Sequence, residues 1–97
     1  MYTENKRFEW DDYKALVNAH KHGIGFEEAA SVFNDADGLI QEDPAHSLTE
    51  LRQRLIGASA WGRLIVVSFT IRERLAIRII SARPANRRER TVYEQRK

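Results

Sequence analysis

The segment Arg63 to Ile71 constrains this chain more than any other. Side chains alternate across a strand, so Leu64 and Val66 point one way and Ile65, Val67 and Phe69 the other. Both sets are apolar, which predicts a central strand buried on both sides. Its neighbours flank it in sequence. Leu51 to Ser59 alternates with Leu51, Gln53 and Leu55 on one face and Arg52, Arg54 and Ile56 on the other. Leu75 to Arg83 alternates too: Leu75, Ile77, Ile79, Ser81 and Arg83 share a face, and Ala76, Arg78, Ile80 and Ala82 share its opposite. Ala60-Trp61-Gly62 fits a hairpin turn, and Arg72-Glu73-Arg74 makes the next turn without a glycine.

The other elements read as follows. Phe8-Glu9-Trp10 is a short edge strand. Asp11 or Asp12 caps a helix from about Asp12 to His22, and Gly23 is placed to end it in the left-handed region. Tyr13, Val17, His20 and Ile24 recur at helical spacing and should face the core, with Lys14, Asn18 and Lys21 on a separate polar stripe. A second helix spans Phe26 to Phe33 behind Gly25, and Asn34 to Gly38 is a turn. Gly38 to Glu42 holds a short strand, and Asp43 to Thr49 is a loop. Asn86 and Glu89 form a capping box for a last helix from Arg87 to about Gln95, after Pro84 ends the preceding strand. The expected fold is α+β, a single domain over residues 1–97. It has an antiparallel sheet of about four strands, N-terminal helices and a C-terminal helix, all helices on one sheet face.

Charge is sorted by half. Residues 1–50 carry 4 Lys or Arg against 11 Asp or Glu, whereas residues 51–97 carry 12 against 3. Eleven of those twelve cations are Arg, culminating in Arg83, Arg87, Arg88 and Arg90. A planar guanidinium fork matches phosphate, so the basic half points to a phosphate-bearing partner; a solvated basic face is the plain alternative. There is no Cys, hence neither a disulfide framework nor a thiolate metal site. The longest apolar run, Leu64 to Val67, is too short to span a membrane, and Met1 to Arg7 is polar, with no signal segment. A cytoplasmic protein without cofactor or metal is expected.

A few residues have the chemistry for catalysis. His20, His22 and His46 are the only imidazoles, and the first two diverge on a helix rather than converge on a metal. Lys21-His22-Gly23 at a helix end places an acid–base group near a chain reversal, although His22 there also suits the negative end of the helix dipole. Arg83 stands where strand passes to helix, ready for phosphate or for a salt bridge to Glu89 or to the acidic N-terminal half. Glu89 and Tyr93 share a helix face with Arg90 beside them; capping and packing are the competing roles. Arg52, Arg54 and Arg63 flank the hairpin and add charge at one sheet end.

Taken in order, these residues resemble the BrnT toxin family. The matching set is Phe8-Glu9-Trp10-Asp11, Asn18, Lys21-His22-Gly23, Phe26 to Ala29, Phe33 and Asp35, then Arg52, Gly57, Gly62-Arg63-Leu64, Arg78 to Arg83, Arg88-Glu89 and Tyr93. It departs from the family pattern at Leu51, where an acidic residue is usual, and at Gly25, which replaces a capping residue. The resemblance implies a RelE/ParE-like fold and the toxin half of a type II toxin–antitoxin pair, a metal-independent ribonuclease that arrests translation by cutting RNA, messenger RNA in particular. It implies a BrnA-like ribbon-helix-helix antitoxin as partner, with operator DNA reached only through that antitoxin. It places the site on Lys21, His22, Arg63, Arg83, Glu89 and Tyr93. On this reading the ribose 2′-hydroxyl attacks the adjacent phosphorus, with His22 or Glu89 as base and Arg63 and Arg83 on the phosphate oxygens. Tyr93 would stack a base or assist the leaving oxygen, and Arg52, Arg87, Arg88 and Arg90 would bind the RNA strand. The rival class is a non-catalytic nucleic-acid-binding or protein-interaction module, which uses the arginines equally well but leaves His22 without a role.

Overall fold

The computed structural model describes residues 7–46 and 50–96. Its elements are β1 (Phe8–Glu9), α1 (Asp12–His22), α2 (Phe26–Ser31), β2 (Leu39–Glu42), β3 (Gln53–Ala58), β4 (Leu64–Ile71), β5 (Ile77–Pro84) and α3 (Arg87–Arg96). Short 3-10 turns cover Val32–Asn34, Pro44–His46 and Glu73–Leu75. The expected second helix therefore tightens into a 3-10 turn after Ser31, and residues 47–49 of the expected 43–49 loop lie outside the described residues.

The sheet has five strands in the order β1-β5-β4-β3-β2, not four. Neighbours from β2 to β5 pair antiparallel, but β1 pairs parallel to β5, with Phe8 opposite Ile77 and Glu9 opposite Arg78. The sheet is thus mixed. Aromatic contacts tie β1 to the body: the Phe8 and Phe33 rings lie 5.3 Å apart, and Trp10 meets Phe26 edge-on at 5.9 Å.

β4 is buried on both sides, as its pattern demands, and this overturns the expectation that all helices share one face. Ile65, Val67 and Phe69 join Leu55, Ile77, Ile79 and Ala82 under Ile24, Phe26, Ala29, Ala30 and Val32. On the opposite face Val66 and Ile56 pack against Tyr93 of α3. A strand apolar on two sides cannot leave either in water, and α3 covers the second.

α1 does not present its apolar stripe to the core. Tyr13, Leu16 and Val17 are 74, 71 and 45% exposed, and His20 is exposed as well. Among the predicted inward residues only Ile24, beyond the helix, is buried. The cause is the position of the helix along the outer edge of β5. There the supposedly superficial Asn18 is 6% exposed and acts as a surrogate strand. Its Nδ2 donates to the Ala82 carbonyl at 2.8 Å and to the Ile24 carbonyl at 3.0 Å, while its Oδ1 accepts the Ala82 N–H at 3.0 Å. Edge-strand groups left unpaired are costly, and one amide side chain satisfies two of them. Asp11 caps the helix by accepting the Lys14 N–H at 3.0 Å, and Gly23 ends it at φ 71°.

α3 is anchored from below. The Tyr93 hydroxyl donates to Asp35 Oδ2 at 2.6 Å, and the same oxygen accepts the Ala58 N–H at 2.8 Å. Asp35 Oδ1 takes the Asp37 N–H at 2.9 Å. The close approach of Asp35 to β3 explains Gly57, where a Cβ would lie 2.8 Å from Val32 Cγ1 and 3.2 Å from Asp35 Oδ2. At the other hairpin, the turn without glycine forces Arg74 and Leu75 to φ 58° and 59°, so the predicted strand start at Leu75 moves to Ile77. Non-glycine residues held there store backbone strain.

Replacing Asn18 by Leu should lower unfolding stability by about 2–3 kcal/mol, because it strands buried main-chain groups of Ala82 and Ile24. Urea denaturation checks this, and Asn18→Asp should recover little, since a carboxylate cannot donate to two carbonyls. A second expectation concerns pH. Burial first, and then the Asp35 carboxylate, push the Tyr93 phenol from 10.0 up to about 12. The folded state thus favours the neutral phenol, so its stabilisation is complete below pH 10 and lost as pH rises toward 12. The melting temperature should fall across that window, and less steeply in Tyr93→Phe.

Candidate active site

The geometry of the site begins with an extra residue in β5. Ser68 pairs with Ser81, yet the next residue of β4, Phe69, pairs with Ile79, so Ile80 is bulged. A bulge resets the alternation. Ile77 and Ile79 keep company with Ala82 in the first core, while Ser81 and Arg83 turn to the second face. The simple alternation, with Ser81 and Arg83 on the Ile77 face, is corrected by this one insertion.

On that second face Arg52, Arg54, Ser68, Ser81, Arg83 and Asp43 line a depression of about 230 Å³. A neighbouring one of about 420 Å³ lies between the sheet and α3, with Gln41, Arg54, Arg83, Arg88 and Glu89 around it. Arg54 and Arg83 belong to both, so the two form one basic groove. Within it Arg83 makes a two-pronged ion pair with Glu89, Nη1 to Oε1 and Nη2 to Oε2, each 2.8 Å. The capping box completes the arrangement: Asn86 N–H donates to Glu89 Oε1 at 2.9 Å, and Glu89 N–H to Asn86 Oδ1 at 2.8 Å. The Arg83 fork, helped by the Asn86 N–H and the Arg54 charge, holds the Glu89 carboxyl below the usual carboxylate range. Glu89 in turn raises Arg83. Arg83 keeps 37% of its side chain exposed to the groove. The buried Nε of Arg54 has no hydrogen-bond partner among the described residues.

Lys21 and His22 line a third depression with Val17, Asn18, Ile80 and Ser81. Ser81 belongs to this one and to the arginine-lined one, so the imidazole side and the arginine side meet across the β5 edge. The Asn18–Ala82 bonds set that meeting, because they lay the last turn of α1 beside the end of β5.

Arg63 is placed differently from the groove arginines. Its guanidinium pairs with Glu28 of α2, Nε to Oε2 at 2.9 Å and Nη2 to Oε1, and Nη2 also donates to the Gly23 carbonyl at 2.9 Å. Ser59 Oγ adds a 2.8 Å bond to Glu28. The Arg63 fork, then the Ser59 hydroxyl, keep the buried Glu28 carboxyl below its usual range. Arg63 therefore braces the end of α1 against α2, while 48% of its side chain stays exposed.

The structure thus gathers Arg52, Arg83, Arg88 and Glu89 in the groove and borders it with Lys21 and His22. Arg87 and Arg90 are exposed on α3 outside the groove lining. Tyr93 corrects its expectation: at 5% exposure and hydrogen-bonded to Asp35, its ring offers no face to a base. Arg54 was undervalued, although its spacing from Arg52 on one strand face was the available signal. Glu28 and Ser81 had no such signal, since a tertiary ion pair and a bulge define their places. Among the described residues no three His, Cys, Asp or Glu side chains gather as a metal site, and no helix is long and apolar enough to cross a membrane.

Comparison with known proteins agrees with this architecture. Residues 10–89 match the family model described as the ribonuclease toxin, BrnT, of type II toxin–antitoxin systems. A search of curated proteins returns no match. Among solved structures, the chain is similar to the Brucella abortus ribonuclease toxin BrnT, with a TM-score of 0.66 and 24% identity. That alignment covers 84% of this chain and 99% of the other. At that identity the likeness speaks for the fold, a three-helix α+β unit on a five-stranded sheet. The family match spans most of the chain, and the protein belongs to the BrnT family of ribonuclease toxins of type II toxin–antitoxin systems.

Proposed function

We propose that this BrnT family member cuts RNA, messenger RNA in particular, by internal phosphoryl transfer that uses no metal ion. The observation that carries the reading is the Arg83–Glu89 fork, set in an arginine groove that meets the His22 depression at Ser81. The phosphate sits against the groove-lining Arg83 and Arg54, whose fixed positive charge stabilises the oxygens as negative charge builds on phosphorus. His22 takes the proton of the ribose 2′-hydroxyl; the oxygen attacks phosphorus, the bond to the 5′-oxygen breaks, and that oxygen takes a proton from solvent water, to which His22 returns its own. The products are a 2′,3′-cyclic phosphate and a 5′-hydroxyl end.

Glu89 is a poor base in this arrangement, because both its oxygens are committed to Arg83 and its carboxyl is held low. Its task is to hold Arg83 extended, as Glu28 holds Arg63. Lys21 and Arg63 supply charge on the His22 side, and Arg52, Arg87, Arg88 and Arg90 mark the path of the strand. Tyr93 positions α3 rather than touching substrate.

The fold reads as a RelE/ParE-like variant formed by residues 1–97 as one domain, and the cytoplasm is the natural site of action. The antitoxin is a BrnA-like ribbon-helix-helix protein that lays an acidic or amphipathic segment over the groove and carries the toxin to operator DNA.

His22→Ala should lower cleavage of a single-stranded RNA about 10²-fold or more, and Arg83→Ala about as much. Product analysis in EDTA checks both the residues and the metal independence. Intact RNA with a mobility shift by the native protein would instead favour a binding module. Toxin–antitoxin affinity should fall steeply between low and high salt, as titration calorimetry at two ionic strengths would read.

A further inference from the structure

We propose that Trp61, at the tip of the β3–β4 hairpin, is a stacking platform for one unpaired base of the RNA strand entering on the His22 side of the site. The proposal rests on the ribonuclease reading above and adds a substrate contact to it. Trp61 is 64% exposed and belongs to neither apolar cluster. An indole left in water on a floppy loop would need no explanation, but this turn is held from several directions. Ser59 Oγ accepts the Trp61 N–H at 3.2 Å and the Arg63 N–H at 3.3 Å while donating to buried Glu28. The Gly62 N–H reaches the Ser59 carbonyl at 2.9 Å, the Ser59 N–H reaches the Arg63 carbonyl at 2.8 Å, and the Ala60 N–H reaches Ser31 Oγ at 2.9 Å. Gly62 at φ +83° makes the tight reversal possible. Only the two side-chain torsions of the indole remain to be ordered, so a ligand on its face is bound at little entropic cost.

The surroundings choose the ligand. Beside Trp61 stands the half-exposed Arg63, whose Nη2 reaches the Gly23 carbonyl next to His22. At the base of the hairpin the Ala85 N–H bonds the Leu64 carbonyl at 3.0 Å, which ties the hairpin to the segment that leads into α3. An exposed aromatic ring two residues from a half-exposed guanidinium suits single-stranded RNA: base on ring, phosphate on guanidinium. Ala60 and Gly62, the sequence neighbours of Trp61, add no apolar bulk of the kind a protein anchor pocket requires. Every base has a π-face, so the platform tolerates sequence and mainly sets register, placing the next phosphodiester toward His22.

The test compares wild type with Trp61→Ala, Trp61→Leu and Trp61→Phe in steady-state cleavage of a mixed-sequence single-stranded RNA. Tryptophan fluorescence is titrated alongside with the same strand carrying 2′-O-methyl ribose, which cannot be cut. Stacking requires KM to rise about tenfold in the Ala and Leu variants with kcat nearly kept, and to recover in Phe. The indole emission of wild type should be quenched by the uncut strand, and that quenching should vanish in Trp61→Phe. Because the ring is exposed, melting temperatures should match, which separates binding from folding. A wild type that cleaves RNA with the same KM as Trp61→Ala, without loss of quenching, overturns the platform and leaves the ribonuclease reading intact. A Trp61→Ala variant unchanged on RNA but weakened toward the antitoxin overturns it in favour of a protein anchor. A wild type that neither cuts nor binds RNA removes the underlying reading and the proposal together.

Discussion

One bulged residue, Ile80, decides which side of the sheet receives Ser81 and Arg83. Without it, Ser81 and Arg83 would share the Ile77 and Ile79 face and drive a guanidinium into the core, and Ala82 would turn outward. With it, β5 keeps its apolar side chains under α2 and hands Arg83 to the groove, within reach of Glu89 at the start of α3. The bulge also sits where α1 runs beside the strand, so Ile80 and Ser81 line the depression of Lys21 and His22. Core packing and site assembly thus depend on the same backbone irregularity.

Two ion pairs then divide the arginines by task. Arg63 with Glu28 and Ser59 is an internal brace that ties the β3–β4 turn to α2 and to the end of α1. Arg83 with Glu89 is set in the groove, its carboxylate partner shared with the cap of α3. Both pairs commit the carboxylate to one geometry, which suits holding a guanidinium in place and not moving protons. In the proposed mechanism proton transfer falls to His22, which the acidic half of the chain contributes beside a groove built by the basic half.

The elements themselves were largely legible. The caps at Asp11, Gly23 and Asn86, the two-faced β4 and the hairpin at Gly62 stand where local rules put them. The Asn86–Glu89 box was legible from its spacing, whereas the Arg83–Glu89 ion pair was one of several competing roles for Arg83. The failures share a cause. The apolar stripe of α1 suggested a helix packed on a sheet face, yet the helix lies along a sheet edge, where Asn18 matters more than Tyr13 or Val17. Periodicity reports amphipathicity but not whether an edge or a face is the partner. The spacing of Tyr93 favoured a packed ring over a reactive phenol, and its bond to Asp35, far away in sequence, agrees with packing.

By itself the sequence determined the kinds of element, their order, the double burial of β4, the arginine-rich half and the family pattern, because each follows from residues near one another along the chain. Only the tertiary structure decided which arginine faces the groove, which is held in a brace and which helix covers which side. Those outcomes turn on the Ile80 bulge and on bonds between residues 35, 58 and 64 positions apart, which no local pattern encodes.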